Sequence, residues 1–270
     1  MLSGEAFFVK WSFVEGHPVS ESDSIFLFGV NPVKERLKTS PRDILEIVVA
    51  KDRQSGAARS VEQEARGLGL PVRQLESQAL DRLAGGERHQ GIAAKVAAYS
   101  YCDFDGLLQA LSASPGPNSI LVLDSVTDPR NFGALLRTAE AAGISHVVIP
   151  KDRSVGVTPV VFKASAGAAS HLRIYRVTNL RRSIAGLKGQ GYWVVGLSAG
   201  ASQSLYGQIY PDKLVVIVGN EGKGIRPLIE RECDFIVSIP MMGKISSLNV
   251  AVAGGVFLYE VLRQRESSKK

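Results

Sequence analysis

Cysteine is nearly absent from this 270-residue chain. Cys102 and Cys233 stand far apart with no C-x-x-C or C-x-x-H spacing, which excludes a disulfide framework and a zinc site. No apolar run reaches the roughly 18 residues that span a bilayer, so no membrane segment is expected. The stretch Met1 to Asp23 lacks the basic start and small-residue cleavage site of a signal peptide, and a cytoplasmic protein is expected. Histidine is scarce too, and His17, His146 and His171 have no motif partners, which points to surface or packing roles.

What is present is enough apolar residue, 45% of the chain, to bury a core in each of two domains. The net charge of +6 is unevenly placed: residues 1–98 hold 13 basic and 13 acidic side chains, and residues 99–270 hold 19 and 13. A positive second half suits a polyanion held over a C-terminal site, although many proteins are mildly basic without touching nucleic acid.

Residues 1–24 show no period and read as a poorly ordered leader. From residue 25 to 98, apolar runs (Ile25 to Phe28, Ile44 to Val49, Ile92 to Ala97) alternate with helix-like stretches around Val33 to Leu37, Ala57 to Arg66 and Ser77 to Leu83, a small α/β unit. Residues 99–118 read as a linker with one short helix, Phe104 to Leu111, and a turn-forming Ser-Ala-Ser-Pro-Gly-Pro-Asn. Residues 119–270 carry continuous apolar strands, Ile120 to Leu123, Val147 to Ile149, Trp193 to Leu197, Leu214 to Val218 and Phe235 to Ile239. Strands apolar on both faces predict a parallel sheet covered by helices, among them Asn131 to Ala142 and Val250 to Arg263.

Three polar segments follow strand ends and lead into helices, where open α/β sheets bind ligands. The turn Gly219-Asn220-Glu221-Gly222-Lys223-Gly224 is not a Walker A loop, because Gly224 replaces Ser or Thr, and is not G-x-G-x-x-G, because Pro227 stands where the last Gly belongs. A dinucleotide enzyme or nucleotide hydrolase is thereby disfavoured. The segment Ile239 to Asn249 offers Ser246, Ser247 and Asn249 for one helix cap, leaving side chains over. The third, Asp124 to Gly133, places Asn131 six residues before Arg137, whose spacing alone suits a solvated outer face.

Together these segments resemble the motifs of the SpoU/TrmH-type RNA 2′-O-methyltransferases of the SPOUT superfamily. Gly29-Val30-Asn31-Pro32 and His89-Gln90-Gly91-Ile92 are similar to the family's N-terminal RNA-binding domain, so the likeness runs from about Ile25 onward. It implies a C-terminal SPOUT domain with a deep trefoil knot, a small N-terminal α/β domain resembling a ribosomal-protein fold, and a homodimer packed beside the knot. It also implies S-adenosylmethionine in the knot crevice, held by backbone near Gly219, Ile239 and Leu248 and lined by Leu197, Asn220, Met241 and Ser247. No metal is required, because the donor already carries an activated methyl.

By the same resemblance, Arg137 stabilises negative charge growing on the ribose oxygen. A guanidinium holds its own proton, so the departing proton needs another acceptor. Asn131, Asn249 and Glu221 are expected to position Arg137, the ribose or the loop, and His89, Gln90, Asn31 and Arg130 to contact RNA. The substrate implied is a guanosine in 23S ribosomal RNA or a ribosomal assembly intermediate. Alternatives are the same chemistry on transfer RNA, a non-catalytic RNA-binding assembly factor, and a drug-resistance methyltransferase; the intact motif residues disfavour lost activity.

Overall fold

In the computed structural model, which describes residues 24–52, 55–97, 99–113, 116 and 118–268, the apolar runs become strands of two sheets. The expected leader, apart from its last residue, lies outside the described residues. The first sheet orders β1 (Ser24–Phe28), β4 (Ile92–Ala97), β2 (Ile44–Ala50) and β3 (Val72–Leu75), antiparallel except for the β2/β3 pair. Its period of two is visible in β2. Ile47 and Val49 pack with α1 (Val30–Thr39) and α2 (Gly56–Gly67), while Val48 and Ala50 pack with Leu80 of α3 (Ser77–Ala84).

The second sheet has seven strands, all parallel, ordered β7 (Arg173–Val177), β6 (His146–Pro150), β5 (Ser119–Leu123), β10 (Leu214–Val218), β8 (Trp193–Leu197), β11 (Phe235–Ser238) and β9 (Gln203–Ser204). β5, β6 and β10 are buried throughout, as strands covered on both faces should be. Each fully buried aliphatic side chain there contributes about 1.5–3 kcal/mol. One face carries α5 (Pro129–Ala141), α6 (Pro159–Ala164) and α9 (Val250–Ser268); the other carries α4 (Phe104–Ala113), α7 (Leu180–Gly189) and α8 (Pro227–Glu230). Residues 99–118, expected as a linker, therefore include a packed part of this layer. Phe104, Leu107 and Leu111 of α4 are buried against β7 and α7 because they recur on one helical face.

Chain order and strand order diverge where the site lies. After β7 the chain returns to β8, and β10 fills the slot between β5 and β8. Beyond β11 it comes back across the carboxyl ends of β8 and β10 to start α9 against α5. The two helices approach closely: a Cβ on Gly254 would lie 2.4 Å from Leu135 Cδ2.

The two sheets share one continuous core cluster. Arg36 of α1 is 5% exposed, bonds Asp43 at 2.7 Å and lies 5.4 Å over the Phe162 ring of α6. Burial pulls its pKa down, and Asp43 partly offsets that. Glu35 meets His171 at 2.6 Å and Glu87 meets Lys163 at 2.5 Å across the same seam.

Candidate active site

Each of the three polar segments has a local reason for its shape. Asp128 caps α5, its Oδ1 accepting from the amides of Arg130 and Asn131 at 2.8 Å each, and Pro129 supplies the preset first-turn φ. That fixes Asn131 in the first turn. In the second segment Asn220 and Gly224 exchange backbone hydrogen bonds at 2.9 Å, while Asn220 Oδ1 accepts from the amides of Gly222 and Lys223. A Cβ on Gly219 would sit 2.2 Å from the Gly224 carbonyl carbon, so only glycine fits. In the third, Asn249 takes the cap of α9, accepting from the amide of Ala251 at 2.9 Å.

The capping residues do more than cap. Asn249 Nδ2 donates to Asn131 Oδ1 at 3.0 Å, and Asn131 Nδ2 donates to Glu221 Oε1 at 3.1 Å. Asn220 Nδ2 donates to Glu221 Oε2 at 3.1 Å and to the Ser125 carbonyl at 2.9 Å. One hydrogen-bonded chain thus joins all three segments, across separations of 118 and 90 residues.

A clamp beneath this chain escaped sequence reasoning. Asp124, fully buried at the end of β5, accepts from the Arg226 backbone amide at 2.8 Å and from its guanidinium at 2.7 Å. The pair ties the first segment to the start of α8. The available signal was an aspartate directly following an entirely apolar strand, since a carboxylate in that place must find a partner.

The second and third segments, with residues 197–200 at and after the end of β8, enclose a cavity of about 500 Å³ at the carboxyl ends of β8 and β10. All seven residues expected around a cofactor line it: Leu197, Gly219, Asn220, Ile239, Met241, Ser247 and Leu248. Aliphatic and thioether side chains (Leu197, Val218, Ile239, Met241, Leu248) line it together with glycines and the polar Asn220, Glu221 and Ser247. Such a cavity fits a ligand with a flat heterocycle, a ribose and a positive centre.

Comparison with known proteins agrees with this geometry. A family model described as the SpoU rRNA methylase family matches residues 118–259, and a model for RNA 2′-O ribose methyltransferase substrate binding matches residues 26–102. The chain belongs to the SpoU rRNA methylase family. It is 41% identical over 240 residues to a 23S rRNA (guanosine-2′-O-)-methyltransferase RlmB of Xylella fastidiosa strain 9a5c, covering 89% of this chain and 96% of that one. It is 40% identical over the same shares to a putative TrmH family tRNA/rRNA methyltransferase, YacO, of Bacillus subtilis strain 168. The fold matches the SpoU methyltransferase AviRb of Streptomyces viridochromogenes in complex with AdoMet, with a TM-score of 0.74, 22% identity, and coverage of 91% and 92%.

Within this SpoU fold the other expected residues are dispersed. Arg137 is exposed on α5 and has no hydrogen bond or ion pair among the described residues. Six residues of helix turn it about 120° away from Asn131 and shift it about 9 Å along the axis. The structure does not join it to the hydrogen-bonded chain. Arg130 and Asn31 are exposed. His89 bonds Asp81 at 2.8 Å and takes the Gly91 amide at 3.2 Å, while Gln90, at φ 54°, accepts from the Val30 amide that opens α1. Both shape the turn before β4. Among the described residues no group of three His, Cys, Asp or Glu is placed to hold a metal, and no helix is long and apolar enough to cross a membrane.

Proposed function

We propose that this chain transfers a methyl group from S-adenosylmethionine to the ribose 2′-hydroxyl of a guanosine in 23S ribosomal RNA. The observation that carries the reading is the hydrogen-bonded chain Asn249–Asn131–Glu221–Asn220 at the rim of the cavity, in a SpoU methylase. S-adenosylmethionine supplies, when bound, a methyl on a positively charged sulfur. Gly219, Ile239 and Leu248 would hold its adenine and ribose through backbone groups, and Leu197, Asn220, Met241 and Ser247 would complete the wall. Glu221, Asn131 and Asn249 lock the loops against one another, and through their spare hydrogen-bonding capacity would position the ribose.

Arg137 belongs to this mechanism as the cation that stabilises negative charge on the ribose oxygen as its proton leaves. Its exposure and lack of partners support supply from a second copy of the chain. Met242, 98% exposed, and Ile245, 73% exposed, support the same homodimer, because they leave the cavity loop without a cover. The return of the chain across β8 and β10 to α9 supports a trefoil knot, in which the last segment passes through an earlier loop. Residues 25–98 take the RNA, with Asn31, His89 and Gln90 at the contact and Arg130 on the catalytic side, in the cytoplasm where ribosomal RNA is made.

Labelled S-adenosylmethionine, incubated with purified protein and either unmodified 23S ribosomal RNA or bulk transfer RNA, tests the proposal by mass spectrometry of nucleosides. The expected product is 2′-O-methylguanosine from ribosomal RNA alone. Label only on transfer RNA overturns the substrate, and none on either or on ribosomal assembly intermediates overturns the activity. In the same assay Arg137→Ala should slow transfer by about 10²–10³-fold, the loss typical of one stabilising donor, with cofactor affinity within a few fold.

A further inference from the structure

The carboxyl end of the second sheet is positively charged on the side away from the cavity. Lys151 and Arg153 follow β6, Arg176 lies on the edge strand β7, and Arg130 opens α5; all four are exposed. They are joined by more than proximity. The loop after β6 is fastened to the loop before α5, where the Val155 amide and the Ser154 hydroxyl both donate to the Val126 carbonyl, at 3.0 and 3.2 Å. Arg176 Nη2 donates to the Lys151 carbonyl at 3.0 Å, and its guanidinium lies 5.4 Å over the ring of Tyr101, in the segment arriving from the first sheet. Tyr101 in turn receives the Val157 amide on its hydroxyl at 2.9 Å.

The rim is thus braced from the first domain's exit to the start of α5. Arg153 is held within it at φ 60°, a left-handed conformation that side-chain-bearing residues seldom adopt. Its guanidinium and the Lys151 ammonium have no hydrogen bond or ion pair among the described residues. The acidic groups nearby are Asp152, which is exposed, and Asp128, whose carboxylate is committed to the α5 amides. Glu221, beside Asn131, is likewise committed, to the amide side chains of Asn131 and Asn220. At strand spacings of about 4.8 Å, the end of β6 lies only about 10 Å from the end of β10, where the cavity begins.

We propose that Arg130, Lys151, Arg153 and Arg176 form a phosphate-binding rim that holds the RNA backbone flanking the methylated nucleotide. The inference rests on the reading of the chain as an RNA methyltransferase. A phosphodiester backbone fits because Arg130, Lys151 and Arg153 have no carboxylate partner among the described residues and Arg176 gives a hydrogen bond only to a backbone carbonyl, so the rim contributes position and affinity, and not sequence choice.

The test is a Lys151→Gln/Arg153→Asn double variant of the full chain, Asn being tolerant of the left-handed region. Binding to unmodified 23S ribosomal RNA is measured from 50 to 200 mM salt. Two lost phosphate contacts should reduce the slope of log affinity against log salt by about 1.5 and weaken low-salt binding by about 10-fold. KM for RNA should rise, while kcat at saturating RNA and the affinity for S-adenosylmethionine stay unchanged. Arg231→Gln, which removes an exposed cation between α8 and β11 and outside the rim, should leave the slope unaltered. An unchanged slope and KM in the double variant, with an active wild type, overturns the rim alone. A wild type that neither binds nor methylates RNA overturns the parent reading instead.

Discussion

At Asp124 a single carboxylate decides whether two distant segments meet. It is fully buried, and its partner Arg226 sits 102 residues further along the chain. Replacing Asp124 with Ala leaves the guanidinium and an amide unpaired at the base of the cavity. Urea denaturation should report a loss of about 1–3 kcal/mol, because the Arg226 guanidinium is 35% exposed and regains water once its partner is gone, and cofactor affinity should fall with it. A loss below about 1 kcal/mol would mean that water replaces the carboxylate readily. The amide side chains above it act differently: Asn131, Asn220 and Asn249 each use both ends of one amide, so a single substitution interrupts the links on either side.

Among the elements, β6 shows how a buried strand can carry an acid sensitivity unrelated to chemistry. His146 is 6% exposed, contacts the Ser145 hydroxyl through Nδ1 at 2.8 Å and lies near Arg173. Burial, then the Arg173 charge, brings its pKa from 6.5 down to about 4. The unfolded chain takes a proton near pH 6.5 that the folded chain refuses until about pH 4. Stability is therefore full above pH 6.5 and falls across that window, by about 3 kcal/mol in all. Unfolding of His146→Phe, followed by urea titration at pH 7 and pH 4.5, should show much less of that fall; an equal fall would assign it to other groups. The strands that the sequence reveals plainly are those, like β5 and β10, buried on both faces. β3 and β7 escape notice because Arg73 and Gln74, or Arg173 and Arg176, interrupt the apolar run of strands that lie at the edges of their sheets. The site follows the same division. The motif loops could be read from their polar residues at strand ends, and the spacing of Arg137 already suited the solvated face on which it lies, whereas the Asp124–Arg226 clamp depends on contacts that spacing does not encode.

For the whole molecule, the shared core between the sheets implies joint unfolding. Leu27 and Val33 of the first domain belong to one buried cluster with Phe132 and Phe162 of the second, and Arg36 closes the seam. Calorimetry should give a single transition, and S-adenosylmethionine at 100 times its Kd should stabilise the entire chain by about 2.7 kcal/mol. Two peaks, with only one shifted by ligand, would separate the domains. The order in which the cavity walls occur along the chain also sets a schedule during synthesis. Its lining runs from Leu197 through Gly219 to Ala253, while the whole first sheet is complete by Ala97. The strands of the first sheet are therefore all synthesised long before the chain can load a methyl donor. Cofactor loading becomes a signal of finished assembly, and a prematurely terminated chain would carry the first sheet without the cavity and without half of the core that the two sheets share.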